Sequence, residues 1–219
     1  MPNWIIKHPT EYGKKAKATA KKSSVRKLKK DVAELKRITR AERGVIDTDT
    51  VSSVSSSWGH IGNVFVCAQG DGLADRDGDN IVAQSLHLQG TFSSADSTNC
   101  LRLVAVSLDS AEDASIANVM QTTTSSVSDP YSAFSSHFKI DGDCKYRVLA
   151  DKRYKIDDNQ AFKEINFKIK LPKSNQVMKY TSTGSDYART NYVFIIAVSD
   201  SLVEAHPSLA LKIRQRYYK

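Results

Sequence analysis

The residues whose types and spacing suit chemistry lie first at the N-terminus. Lys14, Lys15, Lys17, Lys21, Lys22, Arg26, Lys27, Lys29 and Lys30 form close clusters separated by Ala, Thr and Ser, and Lys36 and Arg37 follow. Lysine and arginine at this density neutralise phosphates and release the counterions condensed on a nucleic acid, which needs no base contact. These residues are the candidate nucleic-acid-binding set. The same clusters have the composition of a nuclear import signal.

A second group is acidic. Asp71, Asp75, Asp77 and Asp79 sit in a glycine-rich stretch, and Asp75-x-Asp77-x-Asp79 imitates the start of an EF-hand loop. That loop requires Gly at its sixth position and Glu at its twelfth. Asn80 and Leu86 stand there instead, so an EF-hand is excluded. The aspartates are expected to form turns and pair with Arg76. A looser divalent site at a subunit interface stays open.

The five histidines, His8, His60, His87, His137 and His206, lack metal-ligand spacing. No G-x-S-x-G, P-loop or G-x-G-x-x-G occurs. The chain is therefore expected not to be an enzyme, with no catalytic residue, metal or cofactor. Cys67, Cys100 and Cys144 are widely spaced and odd in number, so a disulfide frame is not indicated and reduced, packed thiols are expected. Lys212, Arg214, Arg216, Tyr217 and Tyr218 make a basic aromatic tail that could stack on bases or pack against a neighbour.

Charge divides the chain that must position these groups. Residues 1–44 carry 14 Lys+Arg and 4 Asp+Glu, a net of +10, while residues 45–219 carry 18 and 20, a net of −2. Such asymmetry predicts a polyanion-binding arm, 1–44, on a nearly neutral body, 45–219. Hydrophobicity up to residue 23 is too low to offset the entropy of ordering, so disorder is expected there. Over 24–43, Val25, Leu28, Val32, Leu35 and Ile38 recur at spacings of three and four, with Ser24 before them and Gly44 after. That predicts an amphipathic helix. No apolar run approaches the ~20 residues of a membrane span, and no secretory signal pattern opens the chain.

The body alternates. Leu86, Leu88 and Phe92 share one parity and Ser85, His87, Gln89 and Thr91 the other, which predicts a half-buried strand over 84–92. Strands are also expected over 46–57, 61–67, 101–108, 145–156, 162–171, 176–180 and 192–198, with Tyr146, Val148, Ala150, Tyr154 and Ile156 on one parity of 145–156 and Ile165, Phe167, Ile169 and Leu171 on one parity of 162–171. Leu101–Leu108 and Tyr192–Val198 are apolar on both parities and should be buried on both sides. Ser110 looks like the cap of a short helical turn, and residues 121–136 read as a Ser/Thr-rich loop. An all-β, eight-stranded antiparallel jelly-roll sandwich is the expected fold, carrying a basic, partly helical N-terminal arm.

Five segments taken in order carry a resemblance: QGDGLADRDGDNIVAQSLHLQG, LRLVAVSLD, KYRVLADKRYKI, FKEINFKIKL with VMKY, and NYVFIIAVSD. They resemble, over about residues 45–200, the capsid proteins of small circular single-stranded DNA viruses, a single jelly-roll family with basic N-terminal arms. The resemblance implies a structural protein of the virion. It would self-assemble into an icosahedral shell of about sixty copies and package nucleic acid, single-stranded DNA, with the arm. Sixty arms of net +10 would face the genome with about 600 positive charges. It also implies a host nuclear import receptor as partner, a nuclear stage during assembly and no membrane. A non-viral jelly-roll binding module, lectin-like or chromatin-associated with a basic nuclear-targeting tail, is the alternative; its sheet would carry a pocket lined by aromatics.

Overall fold

The computed structural model describes residues 27–30, 32, 43–95, 97–140, 142–157, 159–181, 185–202 and 206–219. The chain separates into Met1–Ala41 and Glu42–Lys219. Of the first unit, Lys27–Lys30 and Val32 are helical and exposed. The disorder expected up to residue 23, the Ser24 cap and the rest of the 24–43 helix lie outside the described residues.

The second unit is antiparallel β throughout. Its strands are β1 (Arg43–Ser53), β2 (Gly59–Val64), β3 (Asn80–Ser93), β4 (Thr98–Ser110), β5 (Tyr146–Asp157), β6 (Phe162–Lys170), β7 (Val177–Lys179), β8 (Thr190–Ser199) and β9 (Ser208–Tyr218). One sheet runs β1-β9-β3-β6, with β7 also pairing β3, and the other runs β2-β8-β4-β5. The two sheets share one core. Leu86, Leu88 and Phe92 of β3 and Leu211 and Ile213 of β9 meet Leu101 and Leu103 of β4 and Ile195 of β8. Each such side chain, fully buried, contributes roughly 1.5–3 kcal/mol, so the alternation read from β3 and β6 is what fixes the register.

A bulge divides β3. Its pairing with β9 slips between Ala83 and Ser85, and the inward parity changes from Ile81 and Ala83 to Leu86, Leu88 and Phe92. An extra residue in one strand bends it and turns a side chain to the other face. Two glycines allow close approach nearby. A methyl group on Gly44 would run into the Tyr217 ring, and one on Gly90 into the Ala210 carbonyl.

The second sheet is apolar on both faces, as expected. Outward-facing Val104, Val106, Phe194 and Ile196 form a second cluster with Val119, Met120 and Ala133, so the segment between β4 and β5 covers this face. Ser110 Oγ accepts from the Glu112 N–H at the 3-10 turn Ala111–Asp113, and a one-turn helix, Ile116–Val119, follows. Arg102, 3 % exposed, clamps the cover. Its Nε and Nη2 donate to Asp151 at 3.0 and 2.7 Å, and Nη1 donates to the carbonyls of Phe134 and Ser136 at 3.0 and 2.6 Å. The guanidinium also lies over the rings of Trp58 and Phe138. A buried guanidinium needs this many acceptors to offset its lost hydration.

Three expectations are corrected. The described residues hold nine strands rather than eight, because the basic aromatic tail is β9, a central strand of the first sheet. Leu209, Leu211, Ile213 and Tyr217 point inward and Lys212, Arg214 and Arg216 outward. The alternation is broken in sequence only by Gln215, which is buried and bonded at both ends of its amide: Oε1 accepts from the Phe65 N–H and Nε2 donates to Thr48 at 2.9 Å. Of the two roles weighed for the tail, stacking on bases or packing against a neighbour, Tyr217 takes neither; it packs in its own core. In β5, Tyr146, Val148, Ala150, Tyr154 and Ile156 do not share one face. A bulge opposite Ala105/Val106 sends Ala150, Tyr154 and Ile156 to the inter-sheet core and Tyr146 and Val148 to the covered face.

Candidate nucleic-acid interface

Of the candidate phosphate-binding residues, Lys27, Lys29 and Lys30 are helical and exposed. Lys14, Lys15, Lys17, Lys21, Lys22, Arg26, Lys36 and Arg37 lie outside the described residues. The body adds cations arranged by the first sheet: Lys212, Arg214 and Arg216 of the basic aromatic tail, and Arg43, Lys168 and Lys170, which the sequence reading did not single out. Among the described residues nothing covers that sheet's outer face, and strand register sets which side chains are neighbours across it. One row runs Val45–Arg216–Ser85–Lys170, the next Asp47–Arg214–His87–Lys168, and the next Asp49–Lys212–Gln89–Asn166.

Two of these cations are engaged. Arg214 Nε and Nη2 donate to the two oxygens of Asp47, both at 2.8 Å. The Arg214 hydrogen bonds hold the Asp47 carboxyl below the usual carboxylate range. Lys212 lies 3.9 Å from Asp49. The remaining three, Arg216, Lys168 and Lys170, together with Arg43, line one groove of about 620 Å³ whose described lining residues include no carboxylate. The β3 bulge supplies Gln84 and Ser85 to its floor, and Tyr217 and Tyr218 edge it. Arg43 lies over the Tyr218 ring at 5.8 Å. An open groove with several cations and no acid among its lining residues favours a polyanion.

The aspartate-rich loop is structural. Arg76, fully buried, stacks on Tyr180 at 4.4 Å, donates to the Gly78 carbonyl and to the Ser185 carbonyl at 3.1 Å, and faces Asp79 at 3.6 Å. Asp75 accepts from the Gly72 N–H at 3.0 Å, and Asp77 faces Lys219 at 3.3 Å. The expected turn is present at Asp75, and the expected pairing with Arg76 is seen for Asp79, whereas Asp77 faces Lys219 instead. Among the described residues no group of three or more His, Cys, Asp or Glu could hold a metal ion, and no helix there is long and apolar enough to cross a membrane.

Cys67 is buried with its Sγ 3.1 Å from the Tyr180 hydroxyl, and burial pushes its thiol pKa up. Tyr180 in turn donates to the Phe65 carbonyl at 2.7 Å. With the Gln215 contact, both backbone groups of Phe65 are held, which keeps this residue at a positive φ of 59°. His87 sits on the open face, as its parity predicts, 2.9 Å from Asn166.

A second hollow, about 660 Å³, is lined by Trp58, His60, Asn63, Tyr192 and Phe194 among others. Its aromatics are committed elsewhere. Trp58 donates its indole N–H to the Ala133 carbonyl at 3.0 Å and carries Arg102 on its ring, and Tyr192 and Phe194 are 6 % and 1 % exposed. Burial lowers the His60 pKa and raises that of Tyr192 to about 12.

The sequence matches no protein-family model and no curated protein.

Proposed function

We propose that the chain is a viral coat protein, a jelly-roll subunit that assembles into a closed icosahedral shell and packages nucleic acid with its basic N-terminal arm. The observation that carries this is the junction at Arg43. A segment of net +10 (residues 1–44) runs into a two-sheet body at the residue that also lines the body's cationic groove, whose described lining residues include no carboxylate. The pairing pattern supports the jelly-roll reading. β1 pairs β9, β2 pairs β8, β3 pairs β6 and β4 pairs β5, which is one long antiparallel ribbon rolled so that first and last strands meet. Single-stranded DNA is the favoured cargo, with import into the host nucleus and residence in the virion following from the resemblance. The work is binding and assembly, without a catalytic step.

The lectin-like alternative is favoured by the aromatic hollow alone. It ranks second because Trp58, Tyr192 and Phe194 spend their faces on packing, leaving no flat platform for a ligand.

Light scattering with absorbance detection on the purified full-length chain tests the proposal. It predicts megadalton particles carrying nucleic-acid absorbance. Elution as a monomer in low salt with added single-stranded DNA would contradict it. A truncation lacking residues 1–42, which leaves β1 whole, should keep its β circular-dichroism signal and lose most of its nucleic-acid uptake.

A further inference from the structure

We infer that the groove between β1, β9, β3 and β6 is a second nucleic-acid site, a phosphodiester track in the body in addition to the arm. This rests on the packaging reading and adds a site to it. The track is built by Arg43 on β1, Arg216 on β9, and Lys168 and Lys170 on β6. All four alternate outward while their neighbours enter the core. Lys168 and Lys170 share a face two residues apart, about 6.8 Å along the strand, comparable to successive phosphates of an extended single strand.

Selection against other polyanions comes from the groove's shape and its tyrosine. The β3 bulge places Gln84 and Ser85 on the floor, where polar groups can meet sugar and phosphate oxygens. Tyr218, half-buried at the edge, offers an aromatic ring to a base. A sulfated polysaccharide has no base to stack. The flanking cations support the charge argument from the other side, since Arg214 and Lys212, in the next two rows, already face Asp47 and Asp49. The four left in the groove have no carboxylate among its described lining residues.

The test uses the full-length chain, with fluorescence anisotropy of a labelled thymidylate oligonucleotide titrated from about 50 to 200 mM salt. A Lys168→Gln/Lys170→Gln/Arg216→Gln variant keeps the folded β signal, because its side chains are exposed. Its log–log salt slope should be shallower by about 2, at roughly 0.7 per lost phosphate contact on a single strand. Tyr218→Ala should weaken oligonucleotide binding about tenfold and leave heparin binding unchanged. An unaltered slope in the triple variant, with tight binding by the parent chain, would overturn the groove site and leave packaging by the arm standing. Equal losses on heparin and oligonucleotide in Tyr218→Ala would overturn the assignment to nucleic acid. Failure of the parent chain to bind the oligonucleotide in low salt would overturn both proposals.

Discussion

Asp47 decides how many cations the open face presents. Its pKa is depressed by the hydrogen bonds from Arg214, so the pair is complete above the ordinary aspartate value of about 3.9 and is lost only as pH falls through the lowered one. Across the neutral range the Asp47 carboxylate therefore competes with phosphate for Arg214, at the roughly 0–1 kcal/mol of an exposed pair. Asp47→Asn should release it, tighten oligonucleotide binding and steepen the salt slope by roughly 0.7. Unchanged anisotropy titrations would show that Arg214 stays clear of the nucleic acid. Arg102 is the residue on which the cover of the second sheet depends. Arg102→Ala leaves Asp151 and the carbonyls of Phe134 and Ser136 without their donor. A loss of about 3 kcal/mol in unfolding free energy is expected from the denaturant midpoint. A midpoint within experimental error of the parent would mean that packing alone holds the cover.

At the scale of elements, close approach of β3 and β9 depends on Gly90. A methyl group there meets the Ala210 carbonyl, a backbone atom with no freedom to move aside. Gly90→Ala should cost about 2 kcal/mol, although removing a glycine elsewhere often stabilises by reducing unfolded-state entropy. Thermal unfolding of the variant at or above the parent temperature would contradict this. The strands with clean alternation, β3 and β6, were legible in the sequence, as were β4 and β8 with their apolar residues on both faces. What hid β9 was Gln215, a polar side chain on the inward parity whose hydrogen bonds to Phe65 and Thr48 come from distant parts of the chain. What hid the facing of β5 was a bulge, which changes parity without any residue type that announces it. The groove was hidden for the same reason. Lys168 and Lys170 read as ordinary solvent-side residues, and Arg216 only as part of a basic tail, until the register brought β6 and β9 to either side of β3.

At the scale of the whole molecule, charge is separated along the chain. The body from residue 45 onward sums to −2 and the preceding segment to +10. Copies of so weakly charged a body can approach one another without strong mutual repulsion, while the basic segments are attracted to phosphate. The measurement that tests this most directly is negative-stain electron microscopy of the full-length chain purified without nuclease treatment. The account predicts closed shells of uniform diameter that fall apart or empty as salt is raised. A field of dispersed monomers or small oligomers under conditions that keep the β body folded would contradict it.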